Sequence, residues 1–269
     1  MIFVRCDVSE TIGWGHLKRC LTLSKSIKKN ISVTFLMSGF NAKADNMIRD
    51  SGCSVLKLPS DLSYQEEIKY YPNYCKNIII DLGHRANVKD SDSFSRYLTD
   101  LKDLSYKIIV IDGLGDESYR ANNAPKIDAY IQPYWGVPLD PEPNSDSWFY
   151  GKDSVLVDRV YFDSYRKRKS NIINNLLITF GGSDPQEITL TVLEALKKME
   201  GAVNVRCIVG PSFSHSLVEE IKRFKINQMI DIRYSPENLS EHYEWADLGI
   251  CGSGGSRYEA AVAGLPILF

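Results

Sequence analysis

The chain has 269 residues, 43% of them apolar and 25% charged, with a formal net charge of −2. That balance is ordinary for a globular protein with one large core or two of normal size, and it excludes the basic field of a nucleic-acid binder. The opening "MIFVRCD" lacks a cationic leader, and no apolar run reaches the roughly 18 residues of a membrane span, so a cytoplasmic protein without stable membrane association is expected. The six cysteines (Cys6, Cys20, Cys53, Cys75, Cys207, Cys251) never fall as C-x-x-C and read as buried free thiols. The four histidines form no ligand cluster, so neither a metal nor another cofactor is expected.

In chain order, "IFVRCDV", "SVTFLMS", "SVLKL", "NIIIDLG" and "KIIVIDG" read as strands, separated by helices near 16–29, 41–51, 63–75 and 90–104. A proline- and aromatic-rich stretch follows at 133–153, then a charged and polar one at 158–174. The alternation restarts with "NLLITFGG", a helix at 185–199, "VNVRCIVG", a helix at 214–225 and "MIDIRYS". It closes with a helix near 237–246, "DLGICGS", a helix at 256–263 and "LPILF". Continuous apolar strands alternating with helices predict an α/β protein of two Rossmann-like domains. We place these at 1–157 and 175–269, with 158–174 as a linker and the two parallel sheets facing an interdomain cleft.

Polar and small residues recur where strands hand over to helices. In "IGWGHLKRCLTL" Gly13 and Gly15 precede His16, which opens a helix whose Leu17, Cys20, Leu21, Ser24 and Ile27 share one face. A histidine in the first helical turn faces the positive end of the dipole and is expected neutral, able to accept a proton. A hydrogen-bonded core-edge histidine is the equal alternative. The stretch is no dinucleotide fingerprint, because Lys18 stands where the third glycine belongs, and no G-x-x-x-x-G-K-[ST] occurs.

"FGGSDPQE" (180–187) pairs Asp184 with Glu187 as N-cap and capping box around Pro185, while Gly181, Gly182 and Ser183 leave amides bare for an anion. "GSGGSRYEAAVAGLP" (252–266) repeats the device: Ser256 and Glu259 read as a capping box, with Gly254 and Gly255 before them. Glu259 is alternatively a carboxylate for ribose hydroxyls. Asp81 and Asp112 end consecutive strands, Asp112 read as a loop cap and Asp81, with His84, left between capping and ligand contact. His215 and His242 read as exposed helical residues without a role.

Three stretches together resemble one family. "VRCDVSETIGWGHLKRCLTL", "LLITFGGSDPQEITLTVLEAL" and "DLGICGSGGSRYEAAVAGLP" are similar to motifs of the UDP-sugar hydrolase of pseudaminic acid biosynthesis, which cleaves UDP from 2,4-diacetamido-2,4,6-trideoxy-altropyranose. That family is related to the GT-B glycosyltransferases and to spore-coat polysaccharide proteins. The resemblance implies a GT-B-like fold and metal-independent hydrolysis of a UDP-activated acetamido sugar. It implies His16, Asp7 and Arg19 in the catalytic group, with Arg5, Gly13, Gly15, Asp81 and His84 around the sugar. It places the nucleotide against Gly181, Gly182, Ser183, Gly254, Gly255, Ser256 and Glu259. The chain departs from the family at Asp81-Leu82-Gly83-His84, where Asp-His-Tyr-Gly is usual, and at "GKDSVLVDR", with Ser154 for a tyrosine and Asp158 for an arginine. The family also continues for some tens of residues beyond "GLPILF", which implies a truncated or divergent form. A GT-B glycosyltransferase and a non-catalytic sugar-nucleotide-binding relative are the alternative functions.

Overall fold

In the computed structural model, residues 1–9, 12–39, 41–82, 91–111, 124–136, 142–167, 172–199, 203–224 and 230–269 are described, and their apolar runs form two parallel sheets. The chain divides into two compact units, Met1–Ile12 with His16–Leu156, and Gly13–Gly15 with Val157–Phe269.

The first unit carries β1 (Ile2–Cys6), β2 (Val33–Ser38), β3 (Ser54–Leu58), β4 (Asn77–Asp81), β5 (Lys107–Ile111), β6 (Ile127–Ile131) and β7 (Ser145–Phe149). Its helices are α1 (Gly15–Ile27), α2 (Ala42–Asp50), α3 (Tyr64–Glu67) and α4 (Ser91–Asp103). The strands pair in the order β3-β2-β1-β4-β5-β6-β7, every pair parallel. Both faces are covered, which is why the central strands read as unbroken apolar runs. One layer joins Phe3, Ile78, Ile80, Ile108 and Val110 to Phe94, Tyr97, Leu98 and Leu101 of α4. On α1 the expected face is the buried one: Leu17, Cys20, Leu21 and Ser24 lie inside.

The second unit carries α5 (Arg159–Asp163), β8 (Asn175–Thr179), α6 (Ile188–Lys197), β9 (Asn204–Val209), α7 (His215–Arg223) and β10 (Ile230–Tyr234). It continues with α8 (Ser240–Trp245), β11 (Leu248–Cys251), α9 (Ser256–Val262) and β12 (Ile267–Leu268). The parallel order is β10-β9-β8-β11-β12. In both sheets the first strand of the unit sits between its second and fourth, so the direction of winding reverses there. Ligands of open parallel sheets bind beyond the carboxyl ends of the strands at that switch point.

Several expectations need correction. The 133–153 stretch contains β7, and β6 precedes it; an edge strand such as "SDSWF" keeps exposed polar residues and shows no apolar run. The helix expected at 63–75 is one α-helical turn followed by a 3-10 turn, Ile68–Tyr70, because Pro72 forces Tyr71 to an extended conformation. The expected linker holds α5, whose Tyr161 packs into the core with Leu177, Tyr243 and Leu265. His242 is buried, with Nδ1 3.2 Å from Arg206 Nη1, and burial holds its pKa below the usual imidazole value. All six cysteines are buried free thiols.

The turn after β8 packs hard on the residue after β9. A Cβ on Gly210 would fall inside the contact distance of the carbonyl oxygens of Gly181 and Gly182, and Ser212 N donates to the Gly182 oxygen at 2.8 Å. Backbone cannot retreat as a flexible side chain would. Gly210→Ala is therefore expected to cost about 1–3 kcal/mol, the usual scale of overpacking. Urea unfolding of the purified chain checks it, and a variant as stable as the parent contradicts this packing.

Candidate functional site

At the switch point of the first unit, β4 ends in Asp81, which is fully buried. A buried carboxylate must be paired and hydrogen-bonded, and α1 supplies both partners. His16 and Arg19 lie three residues apart, on one face of the helix. Arg19 donates from Nε to Asp81 Oδ2 and from Nη2 to Oδ1, each at 2.5 Å, a two-pronged guanidinium–carboxylate pair. His16 Nδ1 lies 2.6 Å from Asp81 Oδ1. Burial opposes the Asp81 charge, but Arg19 and then His16 outweigh it and hold the carboxyl well below its ordinary range. Cys20 adds a thiol donor 3.5 Å from Oδ2.

Each of these contacts suits one tautomer of His16. Arg19 Nη2 is also 2.8 Å from His16 Nδ1, so Nδ1 has a donor and a carboxylate as neighbours. With its proton on Nδ1 a neutral ring donates to Asp81 and keeps its lone pair on Nε2; with Nδ1 bare it accepts from Arg19 Nη2 instead. The first tautomer, in which the carboxylate takes one N–H and leaves the other nitrogen as the base, is that of a general-base dyad. Gly13, at φ 77°, supplies the left-handed turn that lets α1 begin at Gly15 and brings His16 to this edge.

Arg5 and Asp7 lie elsewhere than expected. The Arg5 guanidinium is 2% exposed and donates from Nε and Nη2 to the two Glu67 oxygens at 2.9 and 2.8 Å. Its Nη1 meets Asp7 Oδ1 at 2.6 Å, and that oxygen also accepts the Ser38 amide at 2.8 Å. Glu67 in turn accepts from the Tyr71 hydroxyl, which meets that of Tyr97 at 2.8 Å. Arg5 is thus engaged in tying β1 and α3 together, with its guanidinium buried. Asp7 joins the ends of β1 and β2.

In the second unit the two glycine turns differ. Gly181 (φ 73°), Gly182 and Ser183 follow β8, and Asp184 is buried at φ 40°. Its carboxylate accepts the Ile188 and Thr189 amides at 3.0 and 2.9 Å, while those of Leu190 and Thr191 reach the Glu187 carbonyl. The helix begins at Ile188 instead of Pro185, Glu187 makes no side-chain cap, and the first amides of α6 are closed to a phosphate. The expected capping box at Ser256 and Glu259 is also absent. Ser256 is the first residue of α9, and Glu259 Oε2 accepts from the Tyr243 hydroxyl at 3.2 Å. Gly252 N donates to the Thr179 carbonyl at 3.3 Å, joining the turns after β8 and β11. Gly254, Gly255 and Ser256, with Glu259 one turn on, stand at this unit's switch point.

Glu67, Tyr134 and Tyr243 were not expected. Glu67 is the inner carboxylate of "YQEEIKY", whose signal was a charge inside a short helix. Tyr134 lies three residues beyond β6, with its hydroxyl 3.4 Å from Arg19 Nη1. His84 and Asp112 lie outside the described residues. Among the described residues no trio of His, Cys, Asp or Glu is arranged for a metal, and no helix is long and apolar enough to cross a membrane.

The fold is α/β with two parallel sheets, matching the GT-B glycosyltransferases. HepE of Anabaena, solved with UDP-glucose, superposes with a TM-score of 0.63 at 12% identity, over 99% of this chain and 79% of that one. By sequence the chain is similar to the uncharacterized protein MJ1062 of Methanocaldococcus jannaschii, 25% identical across 99% of this chain and 54% of that protein. It also resembles the UDP-N-acetylglucosamine–N-acetylmuramyl-(pentapeptide) pyrophosphoryl-undecaprenol N-acetylglucosamine transferase of Haemophilus ducreyi, 30% identical across 35% of this chain and 26% of that one. The chain thus spans about half of the first relative and a quarter of the second. No family model matches.

The dyad has a pH signature. The unfolded Asp81 carboxyl titrates near about 3.9 and the folded one lower, so its stabilisation is complete above that value. It is lost as pH falls toward the folded pKa. Asp81→Asn should lower stability at pH 7 and flatten the acid limb below about pH 4. Urea midpoints between pH 7 and 3 measure both effects, and parallel curves for parent and variant would contradict the pairing.

Proposed function

We propose that the chain binds a UDP-activated sugar and breaks the bond between C1 and the diphosphate, with His16 as general base. The observation that carries this is the His16–Asp81–Arg19 group at the switch point of a unit of GT-B type. His16 Nε2 takes the proton of a hydroxyl as its oxygen bonds to C1; the C1–oxygen bond breaks and its electron pair leaves with UDP. Attack from the face opposite UDP inverts C1. Asp81 holds the imidazole and offsets its charge as the proton arrives. Arg19 fixes Asp81. Arg5 and Asp7 act at a distance, by holding β1 where α1 must start.

For the nucleotide, we assign Gly254, Gly255 and Ser256 to the diphosphate and Glu259 to the ribose, with Gly181, Gly182 and Ser183 shaping the adjoining turn. The open turn before α9 supports this, as does the self-capping of α6 by Asp184. With water as the attacker the reaction is hydrolysis of a UDP-acetamido sugar, which the opening motif supports. With an acceptor hydroxyl it is glycosyl transfer, which the likeness to the Haemophilus transferase supports. Both use the same base.

Incubation with UDP-N-acetylglucosamine and other UDP-acetamido sugars, followed by NMR, separates these readings. Free sugar released without an acceptor is the hydrolytic result, and release only with an added acceptor is the transfer result. His16→Ala should lower either rate by at least about 100-fold, the low end of general-base contributions. Tight UDP binding without turnover under both conditions would leave a binding protein, and failure to bind UDP would overturn the proposal. Glu259→Ala should weaken UDP binding by about tenfold or more, the scale of one lost charged hydrogen bond. Calorimetry reads this directly; unchanged affinity removes Glu259 from the nucleotide site.

A further inference from the structure

We infer that the corner Pro133-Tyr134-Trp135 after β6 is the sugar-facing wall of the first unit, with Tyr134 setting which sugar is accepted. The inference rests on the UDP-sugar reading and names a subsite within it.

The placement comes from sheet order. β4 and β6 flank β5, and all three run parallel, so residues just past β4 and β6 emerge on one edge. Asp81 ends β4, and Tyr134 follows β6 by three residues. The Arg19 guanidinium spans the space between them. Its Nε and Nη2 are taken by Asp81, and Nη1 reaches the Tyr134 hydroxyl at 3.4 Å, with the guanidinium carbon 5.9 Å from the ring centre. Moving along the edge from the imidazole, the next side chains are therefore Arg19 and then Tyr134. A sugar whose C1 stands at His16 extends its ring in some direction along this edge, and here it meets an aromatic group.

The corner is also shaped unlike a packing element. The chain's core tyrosines, such as Tyr97 and Tyr130, are completely buried. Tyr134 is only half-buried, while Pro133 beside it is buried and anchors the turn. Trp135 next to it leaves 65% of its surface exposed, and Gly136 at φ 85° turns the chain directly afterwards. Small-ligand sites combine aromatic walls with a few placed polar groups. A pyranose offers the matching chemistry, a face of C–H bonds for the ring and equatorial substituents for the hydroxyl. Because Arg19 donates toward that hydroxyl oxygen, the phenol can present its own proton to a substituent carbonyl or hydroxyl.

Calorimetric titration of the full chain with UDP, UDP-N-acetylglucosamine and UDP-glucose tests the assignment. The parent should bind UDP-N-acetylglucosamine more tightly than UDP. Tyr134→Ala should leave UDP affinity within about twofold and weaken UDP-N-acetylglucosamine by about tenfold, the scale of one well-packed aromatic contact. Tyr134→Phe should keep most of the tighter binding but shift the preference between the two sugars. The inference is overturned if Tyr134→Ala changes neither sugar nucleotide. It is equally overturned if UDP alone weakens in step, which is the mark of a structural role, or if the parent binds the sugar nucleotides no better than UDP. A parent that binds no UDP at all defeats the underlying function instead, an outcome distinct from these. Circular dichroism of the alanine variant, with the phenylalanine variant as the conservative partner, separates misfolding from loss of the wall.

Discussion

A single buried charge organises the first unit. Asp81 closes a central strand with no solvent to stabilise it, and an ionised carboxylate in that position is untenable without strong partners. Its two partners come from one turn of α1, and this fixes several things together. The helix must start close behind β1, which requires the left-handed Gly13. Positions 16 and 19 must share a face, which the helical period provides. An imidazole that donates to Asp81 through Nδ1 keeps Nε2 as its basic atom. The orientation of the proposed base is therefore a consequence of neutralising Asp81, so folding and chemistry draw on the same interaction.

A second buried guanidinium–carboxylate pair stands beside the first. Arg5 faces Glu67 with both prongs and Asp7 with its remaining nitrogen, and burial, which works against its charge, is outweighed by Asp7 and Glu67. The two pairs have opposite relations to ligand. Arg5 is enclosed and its donors are spent on the scaffold, whereas His16 is partly open and Arg19 reaches outward to Tyr134. One pair holds the end of β1 in place; the other uses that fixed end to present a side chain. The second unit is arranged differently at its switch point. It relies on glycine turns and main-chain amides, with Asp184 satisfying the start of α6 and the turn before α9 lacking any comparable cap.

The parallel α/β architecture was readable because strands covered on both faces are apolar throughout, and ten of the twelve strands among the described residues announce themselves that way. β6 and β7 did not, since strands toward the sheet edge tolerate residues such as Asp128, Ser145 and Asp146. Of the site, "GWGH" with Arg19 was picked out by the family resemblance, while helix periodicity left His16 between base and core-edge residue and said nothing of its partner. Asp81 lies 65 positions away, and only the pairing of β1 with β4 makes them neighbours. Arg5 stands near a strand end, where the resemblance implies a sugar contact, but a strand end is also where buried charges brace the backbone.

That ambiguity bears on how the two glycine turns are to be assigned. In sequence they are equivalent: strand, glycines, serine, helix, acidic residue. In structure the acidic residue decides their difference. Asp184 bends back at φ 40° and takes the first amides of its own helix, so an anion arriving there would meet a carboxylate. Glu259 sits one turn inside α9, held by the Tyr243 hydroxyl, and caps nothing. Electrostatics therefore supports the proposed placement of the diphosphate at Gly254–Ser256, with the turn at Gly181 locked against Gly210. The pairing of an open turn with a carboxylate one helical turn away is the chemistry a nucleoside diphosphate requires: donors for phosphate, an acceptor for ribose hydroxyls.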